Sequence, residues 1–464
     1  MRRRDFLRAV SVSSGAAVLG PALLRPAGAA PRQGDAEGPY GSIEGRALDE
    51  NGLLLPEGFT SRVIARSDEA VAATGYSWPV FPDGAAAFPT AAGGWYLAVN
   101  SENPLPGEGG VSALEFDADG EVVGGYPICS GTTMNCAGGA TPWDTWLTCE
   151  EIDGGLVFEC DPATEGEGEP RPALGAFEHE AVAVDPDAEQ LYLTEDAPDG
   201  RLYRFTPESY PDLSAGRLEV ARETGDGGVT WLEVPDPSAA DTPTREQVPE
   251  STAYDGGEGI WYDQGSVYFT TKGDDHVRRY DTEAATMEVV YDGTGALTGV
   301  DNLIMEPGTA DLYVAEDGGN MEVVVLTADG DAVPFARIVE EGNPDGGIAS
   351  EVTGLAFSPD GTRLYFNSQR GGPESKGISY EVTGPFRAAD AASTTASTAT
   401  TLASAATADE PTGDDDGSDG GDLALPLVGG AMALGLAATG ALVWRARTRS
   451  AGGEEDPGAP PESR

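Results

Sequence analysis

Between Ser130 and Ile152 the chain reads SGTTMNCAGGATPWDTWLTCEEI, which sets Cys136 about a strand away from the paired carboxylates Glu150 and Glu151. A thiolate with carboxylates suits iron or zinc, and neighbouring oxygen-only sites suit calcium. Taken alone, such a segment reads equally well as a buried strand pair with an incidental cysteine. Its spacing, however, recurs downstream. Asn135 to Glu150, Glu180 to Glu195 and Asp301 to Glu316 each span 15 residues.

The elements that would position these groups are short strands. The runs AVAVDPDAEQLYLTED after Glu180, NLIMEPGTADLYVAED after Asp301, GIWYDQGSVYFTTK after Glu258 and VTGLAFSPDGTRLYFNSQ after Glu351 share one form. Each is an alternating apolar strand, a turn bearing Pro, Gly or Asp, and a second apolar strand. Further strand-like segments follow (RLYRFTP, HVRRYDT, MEVVVLTADG, GISYEVTG). Units of four short strands repeating every 40 to 80 residues are the signature of propeller blades. In a hairpin, a polar residue before the first strand and one after the second lie at the same end. With this hairpin innermost in every blade, the acids converge on one mouth of a central channel. There they repel one another unless cations sit between them.

Composition agrees with an all-β chain rich in turns: 64 glycines and 34 prolines among 464 residues. The net charge of −52 disfavours nucleic acid and anionic lipid as partners. Lys272 and Lys376 are the only lysines, and the acids are spread along the chain, which reads as adaptation to high salt. The four cysteines are Cys129, Cys136, Cys149 and Cys160. One disulfide, for example through Cys160, is compatible with the pattern, with Cys136 kept as a ligand candidate.

Residues 1–30 read as a twin-arginine signal: Arg3 and Arg4 precede Phe6-Leu7 and a mild apolar run, and Ala27-Gly28-Ala29 offers a cleavage site. Residues 40–386 hold the propeller. An Ala/Ser/Thr- and Asp/Gly-rich stalk follows over 387–422, of a composition that accepts O-glycosylation. The uncharged run 423–444 is long enough to span a bilayer, and Arg445, Arg447 and Arg449 place the tail, 445–464, in the cytoplasm. The expected picture is an exported domain, tethered by a stem to the outer face of the cell membrane and acting as a monomer.

The motifs NCAGGxTPWxTWLTCEE, HEA with downstream TED and YRF, DNL…LYVAED and ExTGLAFSPDGxxLYFNSQ resemble the PhoX alkaline phosphatases over roughly residues 45 to 382. The acidic, lysine-poor surface makes the chain similar to a haloarchaeal-type member. The resemblance implies an all-β, six-bladed propeller whose channel holds an iron and calcium cluster that hydrolyses phosphate monoesters. It implies metal ligation by Cys136, Glu150, Glu151, Glu180, Glu195, Asp196, Glu258, Asp301, Glu316, Asp317 and Glu351. It also makes Cys136 and Glu180 catalytic; in place of the family's arginine clamp, Lys272 or Arg370 of this chain would hold the phosphate. His179 would orient Glu180.

Two features depart from the family pattern. An Asn-His-Glu motif becomes Asn100-Ser101-Glu102, and the stretch from Arg245 to Glu258 lacks an evident phosphate-clamping arginine segment. Two other functions remain open: a calcium-dependent lactonase or phosphotriesterase, and a non-catalytic calcium-binding surface or adhesion propeller. Neither needs Cys136.

Overall fold

Alternating apolar residues bounded by Gly, Pro and Asp turns produce six antiparallel sheets, four of them made wholly of strands consecutive in sequence. The computed structural model describes residues 38–339 and 350–387. The expected signal and membrane span, and all of the stalk and tail beyond Arg387, lie outside them. Blade 1 comprises Pro82–Pro89, Trp95–Ser101, Gly109–Phe116 and Val122–Thr132. Blade 2 comprises Asn135–Ala140, Trp146–Glu150, Val157–Cys160 and Glu169–Pro170. Blade 3 starts at His179–Asp185 and Gln190–Glu195 and adds three outer strands, ending at Val229–Glu233. Blade 4 runs from Gly257–Asp263 through Ser266–Thr271 and His276–Asp281 to Thr286–Asp292.

The last two blades recruit the N-terminal part of the described chain. Blade 5 runs from Val300–Met305 through Leu312–Glu316 and Glu322–Leu326 to Ala332–Ile338, with Leu53–Leu54 paired at its edge, and Thr60–Arg66 is the outer strand of blade 6. Blade 6 otherwise consists of Val352–Phe357, Arg363–Ser368 and Ile378–Thr383, so the ring is closed by a strand from the opposite end of the domain. Closure satisfies an edge that would otherwise stand open. Charge reinforces it: the buried Glu381 accepts from Arg62 Nη2 at 3.0 Å and from Arg363 Nη1 at 2.8 Å. Tyr40, Phe59, Phe335 and Phe386 pack edge to face or tilted around the same seam. Arg387, just beyond them, pairs with Glu306 and with Asp311 at 2.7 Å.

The core lies between blades, where Tyr192, Tyr203, Phe205, Phe269, Tyr313 and Tyr365 are fully buried. The first strand of each blade packs against the first strand of the next, so these six strands surround the axis. Among the described residues three short 3-10 turns interrupt the strands, and no helix is long and apolar enough to cross a membrane. The fold is therefore the expected all-β, six-bladed propeller.

Candidate metal centre

The register of the six inner hairpins decides what reaches the channel. Each hairpin has a bulge at the same place, just after its first paired residue or two: Pro82/Ala85, Asn135/Gly138, His179/Val182, Gly257/Ile260, Val300/Leu303 and Thr353/Ala356. A bulge bends the strand and re-aims one side chain. The first residue in each of five bulges is Asp83, Cys136, Glu180, Glu258 or Asp301; in the sixth hairpin the equivalent residue, Thr353, still pairs with Asn367 and the bulge begins at Gly354. A second ring comes from the residue just after each second strand: Glu102, Glu151, Asp196, Lys272, Asp317 and Gln369. All six make the same backbone bond, N–H to the carbonyl of Phe81, Met134, Glu178, Gly256, Gly299 or Glu351, at 2.7–3.1 Å.

Neighbouring blades hold the first ring in place. Asn100 Nδ2 donates to the Cys136 carbonyl at 2.9 Å, Thr194 Oγ1 to that of Glu258 at 2.5 Å, Thr270 Oγ1 to that of Asp301 at 2.6 Å, and Asn367 Nδ2 to that of Asp83 at 3.0 Å. In blade 2 the corresponding position is the buried Cys149. Crowding at the bulge demands small residues. A Cβ on Gly84 would sit 2.5 Å from the Ala137 Cα, and one on Gly259 2.6 Å from the Leu303 N.

Three groups of donor atoms result, each group lying within 4.8 Å: Cys136, Glu151 and Glu180; Glu180, Glu258 and Asp301; Asp83, Glu102 and Glu351. Burial, and then facing carboxylates, push Asp83, Glu180 and Asp301 well above the usual carboxylate range. Burial pushes Glu258 up in the same way, against the pull of Lys272. The same causes raise Glu151 to about 9, and burial takes Glu351 to about 8. Burial also drives the Cys136 thiol upward, helped by Asp83 and Glu180. Both oxygens of Glu180 are buried without a hydrogen-bond partner, as is one of Asp83. Buried acceptors without donors are costly, so this donor set fits cations. A thiolate with carboxylates on one side and oxygens alone on the others suits a softer and a harder ion side by side.

Lys272 and Arg370 reach into the same acids. Lys272 Nζ lies 2.6 Å from Glu258 and 3.5 Å from Asp196, and Arg370 Nη1 lies 2.6 Å from Glu351.

Of the expected ligands, Cys136, Glu151, Glu180, Glu258, Asp301 and Glu351 come together in these groups, and Asp196 and Asp317 stand beside Lys272. Glu150, Glu195 and Glu316 close their own hairpins instead. Glu150 accepts from the Thr133 and Leu156 amides at 2.9 and 3.2 Å, and Glu316 from those of Thr298 and Glu322 at 3.0 and 3.1 Å. Glu195 binds Tyr203 Oη at 2.9 Å and Arg245 at 2.8 Å. The shared 15-residue frame thus mixes two registers: Asn135 pairs with Glu150, whereas His179 and Val300 pair with Glu195 and Glu316. His179 does not orient Glu180; its Nε2 lies 3.1 Å from the Gly175 carbonyl, and burial drops its pKa to about 3. The sequence reading passed over Asp83 and left Glu102 out of the ligand set. The signal that would have found both is a carboxylate beside Gly84 and one directly after a second strand.

The family model described as alkaline phosphatase PhoX matches residues 106–286. Among solved structures, PhoX of Pseudomonas fluorescens in complex with vanadate, described as a transition-state analogue, is 19% identical with a TM-score of 0.58. That likeness covers 72% of this chain and 96% of that one. A gluconolactonase from Xanthomonas campestris is 13% identical, with a TM-score of 0.42, over 70% of this chain and 89% of that one. No curated protein matches the sequence. Residues 106–286 thus match the PhoX family model, and the ring as a whole has the propeller fold of the Pseudomonas protein.

Proposed function

We propose that the chain is a metal-dependent phosphomonoesterase working at the channel mouth. The observation that carries this reading is Glu180, buried with both oxygens unpartnered and shared between a thiol-containing donor group and an all-carboxylate one. Iron beside Cys136 would polarise a phosphoryl oxygen, and calcium among the carboxylates would neutralise the charge of the ester. The chain's own part is positional. The bulges aim the acids, and the clamps from Asn100, Thr194, Thr270 and Asn367 fix the backbone at four of them. Lys272 and Arg370, freed from carboxylates once cations are bound, supply charge to the phosphate oxygens. Arg245 is committed to Glu195, Glu178 and Asp199, at 2.8, 3.3 and 3.3 Å, so the phosphate has no dedicated arginine fork on that side. A high KM follows.

The test is hydrolysis of a simple phosphomonoester in strong salt at neutral to alkaline pH. Activity should vanish on chelation and return with calcium while iron is retained. Metallated protein inert on every phosphomonoester would sink the reading and favour a calcium-binding surface protein. A calcium-dependent lactonase has no use for Cys136.

We also propose export by the twin-arginine route and tethering through 423–444, on the sequence pattern alone. Fractionation should find the whole chain in membranes and a chain ending at Arg387 in the soluble fraction. Arg387 is kept because it pairs with Glu306 and Asp311. Lys in place of both Arg3 and Arg4 should hold either form in the cytoplasm, since lysine lacks the guanidinium fork. A truncated form that still sediments would defeat the tether, and normal export of the lysine variant would defeat the route.

A further inference from the structure

Two of the four cysteines lie outside the channel, on the seam between blades 1 and 2. Cys129 is in the outermost strand of blade 1, paired with Val111, and Cys160 ends the third strand of blade 2, paired with Trp146. Each is 2% exposed, and both belong to one apolar cluster with Phe88, Ile128 and Trp146. The chain after Cys160 folds back over blade 1. Tyr126 Oη donates to the Pro162 carbonyl at 3.0 Å, and the Gly166 amide to the Pro127 carbonyl at 3.2 Å. At the end of that loop a Cβ on Gly168 would lie 2.7 Å from the Cys129 sulfur and 3.2 Å from the Cys160 sulfur. Gly168 also has φ +73°, so a side chain there is excluded twice over. Both sulfurs therefore crowd one point that the backbone keeps free of any other side chain. The two thiols act on each other, Cys160 lowering the pKa of Cys129 and Cys129 raising that of Cys160.

We propose that Cys129 and Cys160 form an intramolecular disulfide that locks blade 1 to blade 2. This inference is independent of the phosphatase reading. The oxidant would be a small-molecule disulfide of the glutathione type. The Cys129 thiolate attacks one of its sulfurs and expels the first thiol. The Cys160 thiolate then displaces the second from the mixed disulfide. Two protein thiols are oxidised, one disulfide is reduced to two thiols, and the protons leave with them. The bridge would close a loop of about 30 residues, restricting the unfolded chain. Cys136 and Cys149 take no part: one faces the channel acids and the other is buried in the second strand of blade 2.

The experiment uses the whole protein. It is incubated with oxidised glutathione or left untreated, denatured, and alkylated with iodoacetamide before mass spectrometry. After oxidation, two of the four cysteines should resist alkylation, and the Cys129 and Cys160 peptides should appear as one species that separates on reduction. Cys149→Ser should keep that species and Cys129→Ser should lose it. The thermal midpoint of the bridged protein should exceed that of Cys129→Ser by roughly 5 °C. Four alkylated cysteines after oxidation, or a bridge to Cys136 or Cys149, would overturn the pairing. A bridge that forms without moving the midpoint would overturn the locking role.

Discussion

Glu180→Gln is expected to lower phosphomonoester turnover by about a hundredfold or more, the scale on which loss of a preorganised charged group acts. Glu180 serves two donor groups at once, so the amide weakens both. Its volume barely changes and neither oxygen has a protein partner to lose, so the fold should survive. Glu316→Gln is the matched control. That carboxylate is equally buried but accepts from the amides of Thr298 and Glu322. An amide group presents its NH2 to one of those donors, so the cost should fall on stability, about 1–3 kcal/mol, with less than tenfold in rate. Steady-state kinetics beside thermal melts separate the two variants. Equal rate losses would mean that Glu316 turns toward the channel when cations bind, against the hairpin-closing role drawn for it.

Removing the cations should cost about 10 °C in thermal midpoint, as loss of two tightly held ligands does for a domain of this size. The loss should depend on pH in a definite direction. In the cation-free channel, Glu151 is raised to about 9 and Glu351 to about 8, from an ordinary 4.5. A carboxyl raised in this way holds its proton in the folded state and gives it up on unfolding. Its stabilising contribution is complete below about pH 4.5 and is lost as the pH climbs to 8 or 9. The midpoint of chelated protein should therefore fall steadily from pH 5 to 9. The loaded protein should be flatter, because bound cations take the place of those protons. A chelated midpoint that rises over this window would contradict a channel of converging, cation-free carboxylates.

The repeat and the chemistry of the channel were legible along the chain because both are local. Period-2 apolar runs closed by turns such as those after Val184 and Met305 specify a hairpin wherever they occur. Six such hairpins can hide their faces only by packing on one another. Cys136 beside CEE, and the acids opening the runs at Glu180, Glu258 and Asp301, are among the groups that the folded ring brings together. What no linear spacing could supply was the register. In a strand, a slip of one residue turns a side chain from one face to the other. That slip separates Glu151 in the channel from Glu150 on its backbone amides, Asp196 from Glu195, and Asp317 from Glu316. The bulges, the clamps between blades and the backbone bond after each second strand set that register, and all of them depend on neighbours distant in sequence. Asp83 entered the site for the same reason: Asn367, nearly three hundred residues away, holds its carbonyl, and only closure of the ring brings the two together.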